Sequence, residues 1–252
     1  MERYDIVYSL GRDCSCASYL QRSGLRLTSG PFDWVTNANF EERFELLLND
    51  FQYFFDKEYL KPQEKQSDHY DKYNDYYENV RTNIYFWHDF PVNMPFEDAY
   101  IAAREKYNRR INRFYENIKN NEKVLLVWFS KFHQTPDDVV LDLCNRFCAK
   151  MNKKIYFLII EHQEGVHKTT RYKLSDNIER CYCHAVKYRK DGSHSLLGNV
   201  KLVQPIFSRL CVMKPFVTKM YRFKFHGLKI IGRILCLITP VKSWRRKIRQ
   251  NF

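Results

Sequence analysis

The sequence predicts an α/β fold: a three-layer sandwich on a mostly parallel sheet, followed by a C-terminal basic amphipathic helix. Three observations predict it. Short apolar runs alternate with longer stretches whose apolar residues recur every three or four positions. The apolar runs between helices are continuous, as in strands covered on both faces. The charge is divided: residues 192–252 carry thirteen Lys and Arg and no Asp or Glu, and the rest carry 29 basic and 29 acidic side chains. The chain therefore reads as an α/β domain over residues 1–191 and a basic extension over residues 192–252.

The first strand is Ile6-Val7-Tyr8, broken by Ser9-Leu10-Gly11. Ala17 to Arg22 is a helix run closed by Ser23-Gly24, which puts Cys14 in a strand-to-helix turn. The positive end of a helix dipole there lowers a thiol's pKa, and the free N–H groups suit an oxyanion. The other reading of Cys14 is a small buried residue under a loop. A second helix follows from Phe40 to Asp50, with Phe40, Phe44, Leu47 and Leu48 on one face and an N-cap from Thr36-Asn37-Ala38-Asn39. Phe51 to Leu60 is aromatic and expected in the core. Lys61 to Asn79 is polar and Tyr-rich without a period, either a lid over the site or a solvated loop.

Asn83 to Trp87 reads as the second strand, ending in His88-Asp89-Phe90-Pro91. Glu97 to Lys119 is a long amphipathic helix with Tyr100, Ala103, Tyr107, Ile111, Phe114 and Ile118 on one face. Its Arg104, Arg109, Arg110 and Arg113 form a solvated face or reach toward an anionic substrate. Lys123 to Phe129 is the third strand, ending in Ser130-Lys131-Phe132-His133. A helix from Pro136 to about Lys150 carries Asp137 and Asp138 in its first turn. Lys154 to Ile160 is the fourth strand, ending in Glu161-His162. Arg180 to Tyr188 alternates and reads as an edge strand. In such sheets ligands bind outside the carboxyl ends of the strands. Cys14, His88, Ser130, Lys131, His133, Glu161 and His162 all fall at those ends.

Ser9-Leu10-Gly11-x-x-Cys14, Gly24-Leu25-Arg26, Ser29-Gly30-Pro31-Phe32-Asp33-Trp34 and His88-Asp89-Phe90, in that order, resemble the bacterial papain-like cysteine peptidase family, over the first half to two-thirds of the chain. The resemblance implies a Cys–His site in which Cys14 attacks an acyl carbonyl and His88 is the base. Asp33 is the expected carboxylate. Asp89 is the alternative, although on a continuing strand it points away from His88. The resemblance does not fix the substrate, which the reading leaves as an acyl, peptide or glycan-linked group, and no cofactor is implied; the alternatives are a glycan-pathway transferase or a non-catalytic glycan- or partner-binding protein in which Cys14 is structural. True papain-like folds do not alternate strand and helix in this way, so the architecture is taken from the periodicity and the site from the motifs.

Eight cysteines in a chain with no secretory leader at its start are expected to be reduced, in the cytoplasm. A zinc site from Cys14, Cys16, Cys181, Cys183 and His184 has C-x-C pairs rather than the usual spacing. Nucleotide-binding glycine loops are absent from the sequence, and the basic excess sits in the tail rather than on the domain, which argues against nucleic acid. From Lys214 to Ile238, Phe216, Met220, Phe223, Ile230, Ile234 and Leu237 share one side, with Lys219, Arg222, Lys229 and Arg233 on others. This reads as an interfacial helix against an anionic membrane surface, at the inner face of the cytoplasmic membrane. No apolar run is long enough to span. The end, Pro240 to Arg249, resembles the C-termini of bacterial glycosyltransferases of surface-polysaccharide assembly, which implies work in that pathway.

Overall fold

The computed structural model describes residues 2–64, 72–213 and 215–238. In chain order its strands and helices are β1 (Glu2–Tyr4), β2 (Ile6–Ser9), α1 (Cys14–Arg22), β3 (Val35–Asn37), α2 (Phe40–Leu48), β4 (Leu60–Gln63), β5 (Asn74–Asn79), β6 (Ile84–Pro91), α3 (Phe96–Asn120), β7 (Val124–Ser130), α4 (Asp137–Met151), β8 (Tyr156–His162), β9 (Thr170–Lys173), β10 (Ile178–Cys183), α5 (Val200–Ser208), β11 (Leu210–Val212) and α6 (Pro215–Ile238). The fold is α/β.

The central sheet has the order β2-β7-β8-β10-β9. The β2/β7, β7/β8 and β8/β10 pairs are parallel, and β9 is antiparallel to β10. Successive strand residues serve two cores. Ile6, Tyr8, Leu126, Trp128, Phe157 and Ile159 point into a cluster with Phe40, Phe44, Tyr107, Phe114, Val140 and Phe147 of α2, α3 and α4. Val7, Leu125, Val127, Phe129, Leu158 and Ile160 point into a second cluster with Tyr19, Leu20, Val203, Ile206 and Phe207 of α1 and α5. Burial on both faces is why these strands read as unbroken apolar runs.

The structure corrects the expectation of one mostly parallel sheet. The strand that carries His88 belongs to a separate four-stranded sheet, order β3-β6-β5-β4, in which every pair is antiparallel. The run Asn83–Trp87 misled because it looks continuously apolar. Ile84 and Phe86 are fully buried, whereas Tyr85 and Trp87 lie half-buried on the other face. There Trp87 stacks on the Tyr76 ring of β5, with centroids 5.5 Å apart and its indole nitrogen buried. β10 is likewise internal to its sheet; the edge belongs to β9.

The helices lie close to their expected places. α2 starts with a capping box, Asn39 Oδ1 accepting from Glu42 N at 2.9 Å and Glu42 Oε2 accepting from Asn39 N at 2.7 Å. Phe51, Phe54, Phe55 and Leu60 are buried, as expected of the aromatic segment. The stretch read as a lid or loop, Lys61 to Asn79, carries β4 and β5 at its two ends, and residues 65–71 within it lie outside the described residues. The basic extension is in part built into the core. α5 contributes Val203, Ile206 and Phe207, and β11 pairs with β1 in parallel. Arg222 of α6 donates to the carbonyls of Ser23, Ser208 and Leu210, which docks the start of α6 on the end of α1. No helix among the described residues is long and apolar enough to cross a membrane. The glycosyltransferase-like end at 240–249 lies outside the described residues.

Candidate active site

After β2 the backbone stays against β7: Leu10 N donates to Val127 O at 2.7 Å and Arg12 N to Phe129 O at 3.2 Å. The chain then turns into α1, whose first residue is Cys14. Asp13 is the N-cap, its Oδ1 accepting from Ser15 N at 2.8 Å. Gly11 is required by close approach, since a Cβ there would strike the side chain of Cys16. Cys16 itself points inward and donates its thiol to Val127 O at 3.4 Å.

Cys14 thus occupies the expected turn, but it is buried, with only 6% of its surface exposed. Burial, followed by the negative charge of Asp13, pushes its thiol up to about 12. Its own backbone N–H, the Arg43 guanidinium and the Lys131 ammonium pull the other way. The expectation of a depressed pKa is therefore corrected: desolvation outweighs the helix terminus, and Cys14 rests as a thiol.

Two buried cations flank this turn. Lys131 lies 3.0 Å from Asp13 Oδ2 and donates to Leu196 O at 2.6 Å, tying the loop after β10 to the helix cap. Arg43, 1% exposed, comes from α2. It donates Nε to Ala38 O at 3.1 Å and Nη2 to Arg12 O at 2.9 Å and Val35 O at 3.3 Å, and its guanidinium lies 5.0 Å over the ring of Phe32. Burial lowers its pKa to about 9. Sequence reasoning missed Arg43. The signal was its place in Phe40-x-x-Arg43-Phe44-x-x-Leu47, one charge on the apolar stripe of a helix.

Asp33 is buried, with Oδ2 accepting from Arg26 Nε at 2.7 Å and from Gly30 N at 3.0 Å. Arg26 also donates to Ser29 Oγ at 2.7 Å and lies 5.3 Å over the Trp34 ring. These contacts lock the Ser29–Trp34 turn that leads into β3, so Asp33 here fixes a turn. β3, which follows that turn, pairs with β6, the strand that carries His88-Asp89-Phe90.

His88 and Asp89 point to opposite sides of β6. His88 is exposed, whereas Asp89 is buried, paired with Lys106 and accepting from Tyr107 Oη at 2.8 Å. The β5/β6 register shifts between Asp75 and Tyr77, opposite Phe90 and Phe86, so His88 lies in the irregular part of the strand. Tyr107 feels Asp89, Arg110 and Cys14, and Arg110 in turn acts on Asp33. Asp33 and Asp89 are each buried and held by partners of their own, Arg26 and Gly30 for the one and Lys106 and Tyr107 for the other, and His88 is exposed on β6.

Other polar residues at the strand ends have structural partners. Ser130 Oγ accepts from His133 N at 3.1 Å. Glu161 accepts from Trp128 Nε1 at 3.1 Å and Thr135 N at 3.2 Å and pairs with buried Arg180. The cysteines of the zinc reading form no metal-holding group among the described residues; Cys16, Cys181 and Cys183 are side chains of the second apolar cluster. His184 instead lies with His162 and Glu164, their ligand atoms within 4.8 Å of one another. His162 Nδ1 accepts from Ala185 N at 3.0 Å, which leaves the ring proton on Nε2, 3.2 Å from Glu164 Oε2. The ring presents a donor to Glu164 rather than a lone pair to a cation.

The comparisons with known proteins bear on the whole of this region. An uncharacterized protein of Acanthamoeba polyphaga mimivirus is 31% identical over 139 residues, covering 50% of this chain. The chain spans 62% of that relative's length. No solved structure matches. A family model described as "Putative papain-like cysteine peptidase" matches residues 5–165, which takes in α1, the turn holding Asp33, β6 and the whole of β7. The chain belongs to that papain-like cysteine peptidase family.

Proposed function

We propose that the chain is a thiol hydrolase or acyl-transfer enzyme whose nucleophile is Cys14. The observation that carries this reading is the position of Cys14, first in α1 after a parallel strand and flanked by two buried cations. Because Cys14 rests as a thiol, its proton leaves as the acyl carbonyl arrives. His88 is the base that the motifs offer; because it is exposed on β6 and Cys14 is buried, taking that proton and returning it to the leaving group requires the two to be brought together when substrate binds. Backbone N–H groups of the first turn of α1 face the oxyanion. Asp33 serves by fixing the turn that joins α1 to β3. The substrate is an acyl, peptide or glycan-linked group. Turnover of p-nitrophenyl acetate tests the reading: Cys14→Ala and His88→Ala each lower it by about 10²-fold or more. Full turnover in folded Cys14→Ala overturns it.

A second feature supports work at a membrane surface. α6 exposes Phe216 (74%), Phe223 (79%), Met220, Ile230 and Ile231, with Lys219 and Lys224 also exposed. In this reading α6 lies on the anionic inner face of a bilayer. Sedimentation with anionic vesicles, lost in Phe216→Ser/Phe223→Ser, supports it; equal sedimentation of the double variant contradicts it. A place in bacterial surface-polysaccharide assembly rests on the resemblance of the tail alone.

A further inference from the structure

Arg43 is built to hold more than the fold. Its guanidinium carries five N–H groups, and the three backbone carbonyls it reaches engage only Nε and Nη2. Nη1 is buried and has no hydrogen-bond partner among the described residues. A buried cation with unused donors is costly, and such groups in a folded protein call for an explanation. The carbonyl of Arg12 that Arg43 holds lies two residues before Cys14, and the charges on Cys14 and Asp13 both act on Arg43. Asp13 does not leave a free anion here, because its two oxygens are engaged by Ser15 and Lys131. Other arginines, Arg113 and Arg180 among them, also keep a buried nitrogen without a partner among the described residues. Arg43 differs in where its other two nitrogens go: they join the turn before Cys14 to β3 and the residue after it.

We propose that Arg43 is the charge partner of Cys14, with Nη1 and its positive charge reserved for the thiolate that forms at that turn. The inference rests on Cys14 being the nucleophile. When the thiol is deprotonated, the electron pair stays on Sγ, the proton passes to the base, and the new anion faces a cation already buried and already oriented. The cost of desolvating the guanidinium is met during folding, so none of it falls on the reaction step.

The test is site-resolved alkylation of Cys14 by iodoacetamide from pH 7 to 11, read by peptide mass, in the full chain. Arg43→Met slows Cys14 at a given pH by about tenfold or more, moving the profile up by a unit. Arg43→Lys, which keeps the charge, recovers most of the rate. Lys131→Met, the second cation, has the smaller effect. A folded Arg43→Met whose Cys14 profile lies within twofold of wild type overturns the proposal. Because loss of Arg43 threatens the fold, melting of Cys14→Asp and Cys14→Asn gives a second measure. With Arg43 as partner the Asp variant folds and melts within a few degrees of the Asn variant from pH 5 to 8. An Asp variant that is unfolded where the Asn variant is folded contradicts it. His88→Ala leaves the Arg43 effect in place, so failure of the base and failure of the charge partner are told apart.

Discussion

Lys131 Nζ lies 3.0 Å from Asp13 Oδ2, and the other oxygen of Asp13 caps the helix that begins with Cys14. The lysine comes from the end of β7 and the cap from the turn after β2, so one ion pair joins neighbouring parallel strands at the candidate site. The same ammonium holds Leu196 O. Lys131→Met removes the pair and leaves Asp13 partly buried. We expect a loss of about 3 kcal/mol in urea unfolding, with the slope unchanged. A loss below about 0.5 kcal/mol would make the pair an ordinary surface contact.

The pH dependence of Cys14 follows from its burial. With the thiol pushed up to about 12, the thiolate is scarce at neutral pH. Alkylation of Cys14 in the free protein at pH 8 is expected to be at least about a hundredfold slower than that of free cysteine, rising about tenfold per pH unit to pH 10. A plateau reached near pH 6 would mean that an unrecognised cation governs the turn.

Asp33 and Glu161 are both raised above ordinary carboxylate values, in each case by burial, against the pull of Arg26 and Arg180. The folded state therefore binds these protons more tightly than the unfolded one. Their contribution to stability is greatest at low pH and declines as pH rises from about 4 through the folded values. Asp33→Asn, whose amide cannot ionise, should flatten that decline. Unfolding midpoints between pH 3 and 7 read the slope. An unchanged slope in Asp33→Asn would assign the decline to Glu161.

The Glu161–Arg180 pair sits at the end of β8 with both side chains essentially buried. Arg180→Met strands a carboxylate among Trp128, Thr135 and the sheet. A cost of about 3–5 kcal/mol is expected, with Cys14 alkylation unaltered. A change in the Cys14 profile would bring this network into the site.

Much of the fold was legible because burial on both faces leaves a plain signal. Val124–Ser130 and Tyr156–His162 stand out as apolar runs, and α3 declares itself through Tyr100, Ala103, Tyr107, Phe114 and Ile118, all buried. The β6 assignment failed where amphipathic aromatics hide an alternation, as Tyr85 and Trp87 do. β9 was silent because all four of its residues are exposed. The position of Cys14 was legible from a strand, a break and a helix run. Its protonation state was not, since it depends on how deeply the folded chain buries the turn. Arg43 was hidden by the habit of reading arginine as surface.

The most direct measurement is capture of an acyl group. Incubation with p-nitrophenyl acetate, followed by peptide mass analysis at low pH, locates any acetyl thioester among the eight cysteines. The acetyl group passes to Sγ, p-nitrophenolate leaves and the thiol proton passes to the base. The account predicts a thioester on Cys14, slowed in His88→Ala and absent from Cys14→Ala. Acetylation spread over other cysteines with Cys14 unmodified would contradict it.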